Sequence, residues 1–154
     1  MLRITLAALH LIALGLGLGA VIARGTQLRE PPTSASVHRA FRSDTVWGIA
    51  AVVWIASGLW RLFGMTEKPL DYYRVNGLFH LKMTLLALIL ILEVWPMMTL
   101  IRWRIAARRG VAVQALVTPT LAKRIMIISH TQAVLIVLMV FAAAGMARGY
   151  GLYR

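Results

Sequence analysis

Four apolar runs, Ile4–Ala23, Thr45–Leu62, Val75–Ile101 and Ile125–Ala147, constrain this chain of 154 residues more than any other feature. Each approaches or exceeds the roughly 20 residues with which an α-helix crosses a hydrocarbon core about 30 Å thick. The chain is 60% hydrophobic and only 14% charged, with a mean hydropathy of +0.75, whereas soluble domains carry about a quarter charged residues. A water-soluble globular fold is excluded. The pattern predicts an all-α integral membrane four-helix bundle, a single transmembrane domain over residues 1–154 whose surroundings are the lipid bilayer. The second run is the shortest, but Trp47, Trp54 and Trp60 include two near its ends, where an interfacial aromatic belt falls. In the third, Trp95-Pro96 predicts a tilt or kink before the interface is reached at Arg102 and Trp103.

The net charge of +12 is explained by topology, so no nucleic-acid partner is expected. Ten Lys and Arg fall between runs one and two (Arg24, Arg29, Arg39, Arg42) or three and four (Arg102, Arg104, Arg108, Arg109, Lys123, Arg124), against six on the other side (Arg3, Arg61, Lys68, Arg74, Arg148, Arg154). The positive-inside rule therefore puts both termini on the outer face. Run one is read as a span and not as a signal peptide, because it is longer than a signal h-region and carries His10 in its middle. Thr26–Ser36 reads as a connector, with Ser36 or Ser43 capping the helix that follows, each inner linker being about 20 residues.

The chain has no cysteine, which excludes disulfides, iron–sulfur clusters and thiol chemistry. Phosphate-binding Gly loops, GxSxG, HExxH and paired carboxylates are also missing. Attention therefore falls on ionisable groups inside the spans, each unfavourable by at least about 2.5 kcal/mol: His10, His80, Lys82, Glu93 and His130. At about 1.5 Å of rise per residue, His10 and His80 share a level in the outer half, and Glu93 and His130 share one in the inner half.

Two imidazoles at one depth on two helices suit the axial ligands of a haem b. The alternative is that each hydrogen-bonds a neighbouring helix. Gly15 and Gly19 supply a small-xxx-small face for close approach of helix one. Lys82 lies about 200° round the helix from His80, so the two cannot face one ligand atom. It either snorkels to the headgroups or pairs with a propionate or substrate carboxylate. Glu93 and His130 suit a buried pair, with Gln132 and Ser129 adding hydrogen bonds. Copper is the alternative cofactor, because His130 has Met126 a turn before it and His80 has Met83 nearly a turn after it. His38 reads as an interfacial histidine, with a second haem shared with His130 as the alternative. Asp44 caps helix two or pairs with an Arg, and MTEKPLDYYRVN, with Glu67, Asp71, Tyr72 and Tyr73, forms an outer interfacial turn.

The series AALHLIALGLG, SGLWRLFG and GLFHLKMTLLALIL resembles the HemJ-type protoporphyrinogen oxidases and the wider CopD-like membrane proteins, and is similar to a family of four-helix bacterial membrane proteins in that neighbourhood. The resemblance covers most of the first three helices, and Gly77–Lys82 is its most specific part. It implies haem b ligation by His10 and His80, a functional role for Lys82, and a bacterial inner (cytoplasmic) membrane location. It also implies oxidation of a porphyrinogen or quinol, or electron transfer. Apart from the resemblance, the polar residues inside the spans make Lys82 and Glu93 candidate catalytic residues and His130 a further candidate metal ligand. The pattern departs from the oxidases where Glu93 takes the place of a Tyr-His pair, and in having His130. The other readings are a non-enzymatic subunit of a larger membrane complex, and copper or proton transport through Glu93, His130 and the methionines.

Overall fold

A computed structural model describes residues 1–29, 33–64 and 68–152. Its elements are α1 (Leu2–Gln27), α2 (Ser34–Phe63), α3 (Leu70–Arg74), α4 (Gly77–Arg108), α5 (Val113–Leu116) and α6 (Pro119–Ala147). The long helices α1, α2, α4 and α6 are each long and apolar enough to cross a membrane. The fold is the expected all-α bundle. Glu67 and Arg154 lie outside the described residues.

Every span is longer than its apolar run, and the difference is greatest in α2, which begins 11 residues before Thr45. Hydropathy marks where a helix meets lipid, whereas its end is set by capping. Thr33, not Ser36 or Ser43, is the N-cap of α2. Its hydroxyl accepts from the Ser36 amide at 3.1 Å, and the Ser36 hydroxyl accepts from the Thr33 amide at 3.0 Å. Asn76 caps α4 through the Phe79 amide, and Thr118 followed by Pro119 starts α6. The connectors are accordingly shorter than the predicted 20 residues. α4 runs continuously through Pro96, which offers no amide to the Leu92 carbonyl.

The packing order follows from which faces are small. α1 lies along both α2 and α6, α4 lies along α6, and α2 and α4 touch over only a short stretch. On α1 the buried face is Ala13, Gly17, Ala20, Val21 and Arg24. The expected Gly15 and Gly19 face is not the one used: a methyl group built on either meets nothing within 4 Å, whereas one on Gly17 meets the Trp47 ring at 3.0 Å. Gly25 likewise lets His130 approach, at 2.8 Å from the position of an added Cβ. The C-terminal turn closes over the start of α4. The Gly77 amide donates to the Gly151 carbonyl at 2.7 Å, and Gly151 itself has φ +83°, the region that favours glycine.

Two apolar layers result. One joins Ala13, Trp47, Trp54, Leu85, Ile89 and Ile136 across the four spans, and the other joins Leu28, Phe41, Leu100, Trp103, Val117 and Ile125 at the α5 end of the bundle. Gly17→Val is expected to destabilise the fold by about 1–3 kcal/mol through overpacking against Trp47. Gly15→Val should leave stability nearly unchanged, and unfolding of both variants in detergent checks the contrast.

Candidate functional site

Between the two apolar layers, α1 carries Arg24, whose side chain is 0% exposed. A guanidinium has five N–H donors and no acceptor, and here all five are used. Nε donates to Ser129 Oγ at 3.0 Å, Nη1 to Asp44 Oδ1 at 2.9 Å and Glu93 Oε1 at 2.7 Å, and Nη2 to Glu93 Oε2 at 2.9 Å and Gln132 Oε1 at 2.8 Å. The Gln132 amide in turn donates to Glu93 Oε2 and to the Ile89 carbonyl. Asp44 also accepts from Arg104 Nη2 at 2.9 Å. Two guanidinium groups thus meet two carboxylates, and the cluster is electrically balanced.

This arrangement corrects two sequence expectations. Arg24 is not a linker residue but a core one. Glu93 forms a bidentate pair with Arg24 and not a pair with His130, whose Nδ1 bonds the Met126 carbonyl at 2.8 Å on an exposed face. Asp44 takes the second of its two expected roles: it is no cap but pairs with Arg, joining Arg24 to Arg104. Among the described residues, no group of three or more His, Asp or Glu could hold a metal ion. The signal for Arg24 was present in its spacing, because it continues the Ala13–Gly17–Ala20 face by one more turn.

Two of the residues expected in the outer half, His10 and Lys82, belong to a separate site at the α3 end. A cavity of about 280 Å³ is lined by His10, Trp54, Gly58, Arg61, Lys68 and Lys82, with walls that include Leu59, Phe79, Leu86 and Met146. Its position follows from the packing order, since it opens where α2 and α4 stand apart. Lys68 Nζ lies 5.2 Å from the centre of the Tyr72 ring, and the Tyr72 hydroxyl donates to the Met146 carbonyl at 2.7 Å, tying α3 to α6. Lys82 Nζ has no hydrogen-bond or ion-pair partner among the described residues. None of the described lining residues is acidic.

His10 is the polar centre of one wall. Trp54 Nε1 donates to His10 Nε2 at 3.1 Å, and an indole N–H is only a donor, so that ring nitrogen is the acceptor. The proton is then on Nδ1, which donates to the Trp54 carbonyl and faces Ser57 Oγ, both at 3.0 Å. Gly58 makes room for the ring, as an added Cβ would stand 3.1 Å from His10 Cε1.

His80 is exposed, bonds the Arg74 carbonyl through Nε2 at 3.0 Å, and is not among the cavity-lining residues. His10 and His80 therefore do not face a common space, and both nitrogens of His10 already have protein partners. As arranged, these residues do not fit a haem held between them. The 200° separation of His80 from Lys82 has the opposite effect to the one the haem expectation needs: it turns Lys82 into the cavity and His80 away from it. His38 bonds the Ser34 carbonyl and lies in a different crevice from His130.

The chain matches, over residues 2–151, a family described as "Predicted membrane protein (DUF2214)", and it belongs to that family. No curated protein and no solved structure matches it. The family match supports the membrane-protein part of the resemblance and does not extend to the HemJ-type oxidases or CopD-like proteins.

Removing one partner from a buried charged cluster leaves its counter-charges uncompensated, at about 3–5 kcal/mol. Arg24→Met is expected to destabilise the bundle by that amount. Arg24→Lys, which keeps the charge but loses the fork, should fall between it and the unmodified protein. Denaturant or thermal unfolding in detergent measures both.

Proposed function

We propose that this chain binds an amphiphilic acid at the membrane surface, holding its carboxylate or phosphate head in the cavity at the α3 end. The observation that carries this reading is the lining itself: Arg61, Lys68, Lys82 and His10 around walls that are otherwise largely apolar, without a described carboxylate. An acid head desolvated among these groups gains charge-assisted hydrogen bonds. A volume of about 280 Å³ lies near the lower end of the range of ligand pockets, about 300–1,000 Å³. It suits a head and the adjoining part of a chain, the rest of which extends into lipid between α2 and α4. Lys82 is the group whose only described role is to meet that head, and His10, fixed by Trp54 and Ser57, shapes the wall beside it. The Lys82 reading adopted here is thus the functional one, pairing with a ligand acid, and not snorkelling.

The membrane is proposed to be the bacterial inner membrane, with the α5 end cytoplasmic and both termini outside, supported by the excess of Lys and Arg at the α5 end. Because the chain lacks cysteine, single cysteines report this directly. A cysteine at Tyr150 should react with a membrane-impermeant maleimide in intact cells, and one at Arg109 only after lysis; the reverse result inverts the topology.

Binding is tested with oleate, oleoyl lysophosphatidate and methyl oleate on protein in nanodiscs. The two acids are expected to bind saturably and the ester not to compete. Lys82→Met should weaken acid binding about tenfold, the scale of a lost charge-assisted bond, and Lys82→Arg should retain most of it. Equal competition by the ester, or unchanged binding in Lys82→Met, rejects the reading. An absorption spectrum separates it from the haem b reading: a Soret band abolished in both His10→Ala and His80→Ala would require the two imidazoles to come together.

A further inference from the structure

At the α5 end of the bundle, α2 and α4 part again and enclose a crevice of about 360 Å³, independent of the cavity described above. It is lined by His38, Phe41, Arg42 and Thr45 of α2 and by Arg104, Ala107 and Arg108 of α4. Three guanidinium groups and an imidazole thus face one space, and none of its described lining residues is acidic. Arg104 lies over the Phe41 ring, 5.3 Å from its centre, and gives Nη2 to Asp44 and to the Phe41 carbonyl. Asp44 also balances Arg24, so its charge is already shared. Arg42 and Arg108 are exposed and have no hydrogen-bond or ion-pair partner among the described residues.

The depth of the crevice narrows what it can take. On α2 it reaches from His38 to Thr45, ending where the apolar run begins; on α4 it starts at Arg104, just past the end of the apolar run at Ile101. It therefore lies at the boundary between hydrocarbon and headgroups. Arg forks match phosphate oxygens, and anionic lipids are drawn to basic groups at this level. We infer that the crevice between His38, Arg42, Arg104 and Arg108 is a binding site for the phosphodiester headgroup of an anionic phospholipid. Arg42 and Arg108 grip the phosphate from the two helices, which touch little elsewhere, while the acyl chains remain in the bilayer beside them. The bound lipid would join α2 to α4 at this end.

Native mass spectrometry of the detergent-purified protein, titrated with dioleoyl phosphatidylglycerol, dioleoyl phosphatidylcholine and glycerol 3-phosphate, tests this. Phosphatidylglycerol is expected to be retained in preference to phosphatidylcholine. R42A/R108A should weaken that retention about tenfold or more, on the scale of two lost basic contacts. K123A/R124A removes the same charge from exposed positions at the same end of the bundle, outside the crevice, and should leave retention unchanged. Equal losses in the two double variants would reduce the effect to the general charge of this end and overturn the site. Retention without preference between the two lipids would do the same. Displacement of the lipid by glycerol 3-phosphate at similar concentration would assign the crevice to a soluble phosphate ester, and overturn the lipid assignment. Thermal melting of both variants without added lipid, expected to be unchanged, shows that neither result comes from unfolding.

Discussion

The rest of the structure depends on the five hydrogen bonds of Arg24. In a hydrocarbon setting a guanidinium left without acceptors is among the least favourable groups a protein can bury, and its planar fork accepts few geometries. Its acceptors come from α2 through Asp44, from α4 through Glu93, and from α6 through Ser129 and Gln132. All four spans are therefore held in one register by one residue. Apolar packing between membrane helices is weakly directional, because lipid is as apolar as the helices themselves. The polar layer between the two apolar ones supplies the specificity that packing lacks. A buried ion pair need not be stabilising against an apolar replacement, so its role is best described as choosing the arrangement.

That choice also explains where the open spaces are. α2 and α4 are joined chiefly through side chains, Asp44 to Arg24 to Glu93 and Asp44 to Arg104, and little by direct contact. On either side of this bridge the two helices are free to stand apart, giving the cavity at the α3 end and the crevice at the α5 end. Both spaces are lined by cationic side chains. The two proposed sites for anionic amphiphiles rest on this division, in which Arg24 is neutralised internally while other cations line the seam between α2 and α4.

Much of the fold was legible in the sequence, and the candidate site was legible in part. The four apolar runs are a period-independent signal, so the spans were readable from hydropathy alone. The helix ends were not, because Thr33 and Ser36 cap an extension of α2 that precedes its apolar run. His10 and Lys82 could be singled out because each is unfavourable in a span and so needs a partner or a ligand. Arg24 was missed because it stands at the edge of an apolar run, where positive charges are usually solvated. Only its phase with Ala13 and Gly17 distinguished it. Depth matching of His10 with His80, and of Glu93 with His130, addresses height alone and is silent about azimuth. In both pairs the second histidine points elsewhere.

The sequence by itself determined that this chain carries four helices long and apolar enough to cross a membrane, and which of its residues are too polar to lie in lipid unaccompanied. Those properties are set by composition along one axis, the bilayer normal. Which polar residues meet was decided only by the tertiary structure, since it depends on the rotation of each helix and on which helices are neighbours. The small face of α1 placed α2 and α6 beside it, and the acceptors of Arg24 fixed their rotations. From that followed Glu93 with Arg24, Lys82 facing the cavity with His10, and His80 turned away from both.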